Sequence, residues 1–273
     1  AGGIPAVVEN AQSLPGYLTM MTTYDPVAGV EQPYPIINII SMIAWGLGYF
    51  GMPHILLRFM AIEDEEKLTL SRRVATIWVV ISLAVAVLIG VIGLAMSDVG
   101  ALKTLTGSDS ETIIVQIADL LSKHGILPAL LAGTILAGIL ASTMSTADSQ
   151  LLAASSAVSS DLFGDRVAKT GDKKKAMNAA RFTLLAIAVI AAFIARDPNS
   201  SVFGIVSFAW AGFGAVFGPV VLFALFWRRS NWQGALAGMI SGGAMVFIWK
   251  YLVRPLGGVW NIYELLPAFS VSC

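Results

Sequence analysis

The chain has 273 residues, 56% of them hydrophobic and 12% charged, and a mean hydropathy of +0.77, so it reads as an integral membrane protein. Its 17 Lys and Arg balance 17 Asp and Glu, which excludes the basic excess of a nucleic-acid binder. Cys273 is the single cysteine, which excludes an intrachain disulfide and cysteine-based metal or redox chemistry.

The first residue is Ala1, no basic n-region with an apolar core follows it, and the last residues lie inside an apolar segment that begins near Tyr263. The expectation is a fragment cut at both ends, without a signal peptide. Residues 1–35 carry Pro5, Pro15, Pro26, Pro33 and Pro35 and are too irregular to span lipid, so they are expected to form an external loop with one short helix. Residues 36–273 read as a transmembrane domain, with spans at about 36–60, 74–97, 126–160, 181–195, 201–227 and 233–251 and the start of another at 262.

The first span is interrupted by Trp45-Gly-Leu-Gly-Tyr-Phe-Gly-Met-Pro-His54, whose three glycines and proline disfavour a regular helix. Two readings stand: a proline kink, or a broken helix of the kind that supplies ligand contacts in transporters. Trp45 and Tyr49 are four apart, on one face if the helix persists, and flank the break at Pro53 as apolar walls of a small-molecule pocket would. Residues 63–73 are a charged connection, and residues 111–123 have the apolar spacing of an amphipathic helix.

The span at 126–160 carries Ser142, Ser145, Thr146 and Ser149 at i, i+3, i+4 and i+7, one polar stripe on a helix. Small hydroxyl residues pack membrane helices closely. Hydroxyl and carbonyl oxygens are also hard ligands for a small hard cation, and the absence of Cys and His here argues against zinc or copper. The alignment favours the cation site. Asp148 lies about 110° around the helix from the stripe; it is either a solvated acid in a cytoplasmic vestibule or a second cation position on an exit path. Residues 161–175 form a lysine-rich loop, and Ala209-Trp-Ala-Gly-Phe-Gly-Ala-Val-Phe-Gly-Pro219 reads as another interrupted span, built for close packing or for gating. His54 and His124 have no second ligand at metal spacing and receive no role.

Basic residues cluster in the loops after the first, third and fifth spans, among them Arg72, Arg73, Lys174, Lys175, Arg228 and Arg229. The positive-inside rule makes these loops cytoplasmic and places the N-terminal loop outside. Without a nucleophile–base pair, phosphate loop or HExxH motif, nothing points to an enzyme.

The Trp45–His54 stretch, Arg58-Phe-Met-Ala61, Met144-Ser-Thr146, Ala209-Trp-Ala-Gly-Phe-Gly and Phe217-Gly-Pro219 together resemble the sodium:solute symporter family, from about Ile36 to the end. The resemblance implies an all-α, LeuT-type inverted-repeat transporter fold in the cell's inner (plasma) membrane. This chain would hold the second five-helix repeat and one added span, and lack the N-terminal repeat. It implies sodium-coupled symport of a small amino acid, L-proline first, with sodium as coupling ion and no cofactor. By position, Ser145 and Thr146 correspond to sodium ligands, Ser142 to a carbonyl contributor, and Trp45, Tyr49 and Pro53 to substrate contacts. Asp148 and Ser149 depart from the family's best-known member, which has a hydroxyl and a cysteine there. Read from the residues alone, a discontinuous helix and a hydroxyl-lined helix meeting near the bilayer midplane would carry alternating access. The competing class is a transporter-like sensing domain of a signalling protein.

Overall fold

The computed structural model describes residues 2–25, 27–158, 173–197 and 200–273. The proline-rich start is more ordered than its composition suggests. Helix α1 (Ile4–Ser13) carries Pro5 in its first turn, where a missing N–H leaves no helical bond unmade. A hairpin follows, of β1 (Thr22–Asp25) and β2 (Val30–Pro33), antiparallel with Thr22 opposite Pro33. Asp25 builds its turn, Oδ1 accepting from the N–H groups of Val27 at 2.9 Å and Ala28 at 3.1 Å, as an aspartate does when it replaces a backbone acceptor. The segment thus holds the one short helix expected of it and a hairpin besides; among the described residues this two-stranded hairpin is the only sheet in an otherwise helical chain.

The remaining elements are helical. The first span is three pieces, α2 (Ile36–Ile43), a 3-10 segment Ala44–Gly51, and α3 (Pro53–Met60). Then come α4 (Lys67–Asp98), α5 (Ile113–Ser122), α6 (Ile126–Ala157), α7 (Lys173–Ile194), α8 (Val202–Phe226), α9 (Trp232–Ile248) and the short α10 (Leu265–Ser272). Five helices among the described residues are long and apolar enough to cross a membrane, and the bent first span can make a sixth. At 32 residues, α4 is about 48 Å long against a hydrocarbon layer of about 30 Å. It therefore starts in the charged connection, seven residues before the apolar run, because Lys and Arg favour helix and a helix need not stop where lipid does. The same reason extends α7 back to Lys173, making the last three residues of the lysine-rich loop helical; residues 161–172 of that loop, and residues 159–160 at the end of the expected span 126–160, lie outside the described residues.

The span read as interrupted at Ala209–Pro219 is an unbroken helix, α8, with Pro219 inside it. Proline removes the donor to the carbonyl four residues back, here that of Ala215. That carbonyl lies against Gly242 of α9, so close that a Cβ there would stand 2.6 Å from it. Close packing on α9, not a break, accommodates the proline.

The chain divides into two compact units, residues 1–111 with 201–273, and residues 112–200. The core of the first is Ala211, Ala215, Val246, Tyr263, Leu265, Ala268 and Phe269, with Trp45, Phe208 and Trp210 packed around it. Within it α1 is tied to the end of α4 by Asn10 Nδ2 donating to Asp98 at 2.9 Å. The second unit is built on α6, which pairs with α5 and with α7. Buried Ser155 of α6 donates to the Ala180 carbonyl of α7 at 2.8 Å, the polar contact that small hydroxyl residues make between membrane helices.

Candidate functional site

In the first unit, the site grows from the break. Pro53 pushes the residue before it out of the helical region, and Met52 is extended (φ −89°, ψ 109°). The axes on either side of it differ by 55°. Upstream, the 3-10 segment lies directly on α8: a side chain at Gly48 would collide with the Trp210 indole, and one at Gly51 with the Phe213 carbonyl. Only glycine allows this approach of a helix to a backbone.

The approach gathers aromatic rings around Trp45. Its ring stacks on Phe203 at 5.6 Å, Trp210 at 5.4 Å and Tyr263 at 5.5 Å between centroids, and its carbonyl accepts from the Trp210 indole N–H at 3.0 Å. Tyr49 meets Trp210 edge-on at 4.8 Å and is 50% exposed. The segment's 3-10 geometry turns about 120° per residue, so Trp45 and Tyr49 do not share one face as a continuing α-helix would require; Trp210 joins them by touching both. Pro53 stands exposed at the first turn of α3. The arrangement offers a small solute flat apolar surfaces with a phenol beside them, next to the positive end of a helix dipole, although Pro53 has no N–H and those of Ile55 and Leu56 already donate to the Met52 carbonyl at 3.1 and 3.0 Å.

Trp210 belongs to a motif that the sequence offers for its glycines and for the family resemblance, with no role for the indole. Phe203 and Tyr263 have no linear signal, since each lies more than 150 positions from Trp45. Glu111 was likewise read only as the start of an amphipathic stretch. Its carboxylate seals the start of α8, accepting from the Ser201 hydroxyl at 2.6 Å and from the N–H groups of Val202 at 2.9 Å and Phe203 at 3.2 Å. Ser201 Oγ in turn accepts from the Gly204 N–H at 2.9 Å, a helix cap. The Ser201 hydrogen bond, against some desolvation and with help from the two N–H groups, holds Glu111 below the usual carboxylate range.

In the second unit, α6 runs unbroken through Ser142, Ser145, Thr146 and Ser149. Ser142, Ser145, Thr146 and Asp148 are exposed. Thr146 Oγ1 donates to the Ser142 carbonyl at 3.2 Å, and Ser149 Oγ to the Ser145 carbonyl at 2.8 Å. A hydroxyl that donates its proton back along the helix keeps its lone pairs, so these oxygens retain the capacity to ligate. Among the described residues no three His, Cys, Asp or Glu come together as a metal site; the donors the stripe offers are hydroxyls and carbonyls, hard and uncharged.

The sequence model of the sodium:solute symporter family matches residues 1–242. The chain is 41% identical over 234 residues to the sodium/proline symporters of Salmonella typhimurium and Escherichia coli, covering 85% of this chain and 45% of each relative. It is 41% identical over 238 residues to the high-affinity proline transporter PutP of Bacillus subtilis, covering 87% of this chain and 48% of the relative. The chain thus spans about half the length of the curated relatives it matches. No solved structure matches it.

Proposed function

The chain belongs to the sodium:solute symporter family, and from that premise we propose that it supplies the second half of a sodium-coupled symporter for L-proline or a similar small solute. It adopts the second five-helix repeat of a LeuT-type inverted-repeat fold with an added span, in the plasma membrane with its N-terminal segment outside. The observation that carries this reading is the 55° break between residues 36–51 and 53–60, lined by the Trp45 ring cluster.

In this reading Trp45, Tyr49 and Pro53 border the solute. The pyrrolidine ring lies against the aromatic faces, and the carboxylate is drawn to the N-terminus of α3. Ser145 and Thr146 hydroxyls and the Ser142 carbonyl ligate sodium, with further ligands from the first repeat. Sodium and solute each favour the state that binds the other, so their affinities rise together. Asp148, off the stripe, draws the ion inward along its exit path. The test is radiolabelled proline uptake by the full-length protein carrying this chain, in proteoliposomes, with sodium replaced by choline in the control. Uptake that does not depend on sodium defeats the coupling, and absence of proline uptake in both media defeats the substrate.

A further inference from the structure

Resting on the reading that Trp45 borders the solute, we propose that Tyr263 is a positioning residue for the solute site, held in place by an ion cluster centred on Glu264. Tyr263 enters the site above only as one of the rings on Trp45 and Glu264 not at all, yet both are buried, at 8% and 1% exposure.

Tyr263 touches three segments at once. Its backbone N–H donates to the Ser41 hydroxyl of α2 at 2.6 Å, and Ser41 is only 2% exposed. Its phenol donates to the Ser207 carbonyl of α8 at 2.7 Å. Its ring stacks on Trp45, 19° from parallel. Ser41 lies four residues before Trp45, so the tyrosine grips the broken helix by the Ser41 hydroxyl and the Trp45 indole together. Trp45 cannot change rotamer without unstacking from Tyr263, and Tyr263 cannot leave without exposing a buried hydroxyl and breaking its hydrogen bond to α8.

What fixes Tyr263 is its neighbour. Glu264 is 1% exposed, and an unpaired carboxylate there would be very costly. Arg254 Nη1 donates to its Oε2 at 3.0 Å, and Lys250 Nζ lies 3.9 Å from Oε1. Both cations come from the end of the preceding membrane helix, where a π turn (Trp249–Val253) leads into a 3-10 turn (Arg254–Leu256). Arg254 Nε also donates to Asn261 Oδ1 at 3.1 Å, and the Lys250 ammonium sits 3.9 Å over the Phe208 ring of α8. The residues between, Gly257 and Gly258 among them, would otherwise be a free connection. The cluster makes 254–264 a rigid strap that delivers Tyr263 to Trp45.

The experiment uses the full-length protein with two substitutions. Tyr263→Phe keeps the ring and loses one hydrogen bond; Tyr263→Leu loses the stack. Initial uptake rates against proline and against sodium give KM, maximal rate and sodium half-saturation, normalised to folded protein. The expected result is a proline KM raised about threefold for Phe and about tenfold for Leu, with the maximal rate and sodium half-saturation nearly unchanged. A purely structural role would lower the yield of folded protein and leave KM alone, and that outcome overturns the inference. Fluorine NMR of 5-fluorotryptophan-labelled protein gives a readout that needs no solute. With the Trp45 resonance assigned through Trp45→Phe, it must shift in Tyr263→Leu; an unmoved resonance overturns the inference even if the unsubstituted protein carries some other solute. Failure of proline uptake in the unsubstituted protein, with the resonance shifting as expected, counts against the substrate reading and not against the positioning role.

Discussion

The segment at residues 36–60 and the helix α6 present polar atoms within apolar sequence by opposite means. The first breaks its helix and frees backbone groups beside Pro53; the second keeps its helix whole and projects hydroxyls from it. The break is braced on its α8 side: Gly48 and Gly51 lie against α8, and Trp45 is stacked among three rings. The stripe is not braced in this way, with Ser142, Ser145 and Thr146 exposed and, among the described residues, no atom beyond the helix's own backbone and the glycine's chain neighbours within 4 Å of a Cβ placed at Gly133 or Gly138. A broken helix needs neighbours to satisfy the groups it frees, whereas an intact helix satisfies its own backbone. Substitutions at the packed glycines of the break are therefore expected to act on the fold first, and substitutions on the stripe to leave the fold intact.

The largest test of that contrast is Gly51→Ala beside Gly138→Ala. The first drives a methyl into the Phe213 carbonyl and is expected to cost about 3 kcal/mol of stability, while the second relieves a helical glycine and gains up to about 1 kcal/mol. Thermal unfolding of the purified protein in detergent reads both, and equal effects would erase the distinction. Tyr49→Ala comes next. Half-exposed, this residue contributes little to the core, so proline affinity should weaken about tenfold at unchanged yield; unchanged affinity in correctly inserted protein removes Tyr49 from the site.

Thr146→Val keeps the side chain's shape and deletes one oxygen. Sodium half-saturation should rise about fivefold with the melting temperature held, and an unaltered sodium dependence would show that the stripe only packs. Glu111 gives a smaller effect with a defined sign. Its folded pKa lies below its unfolded value, so the stabilisation it brings is present above the ordinary carboxylate range and is lost as pH falls through the folded value. Melting temperature measured downward from pH 7 should fall through the acid range more steeply than in Glu111→Gln; parallel profiles would mean the cap adds nothing. Asp148→Asn is expected to change least: sodium-dependent uptake persists while its pH profile moves or ion release slows. Wild-type turnover, sodium dependence and pH profile together would make Asp148 a solvated acid.

The hydrophobic runs and the Gly/Pro cluster at residues 45–54 fixed the long helices and the place of the break, because lipid thickness and proline chemistry act locally. Hydroxyl spacing on α6 was legible for the same reason: an unbroken helix makes periodicity into geometry. Elsewhere neighbours decided. The glycines and Pro219 that read as an interruption sit in a continuous α8, since α9 packs against the carbonyl that the proline leaves without its donor. Trp45 and Tyr49 are joined through Trp210, which touches both, and not through a helical face. Glu111 finds Ser201 across 90 positions, and Tyr263 finds Ser41 across 222. Sequence alone determined where the chain could cross a membrane and which stretches could not stay regular, because those depend on properties of adjacent residues. Only the tertiary structure decided which rings surround Trp45 and which carboxylates are buried and paired, because such contacts arise from packing between segments far apart in the chain.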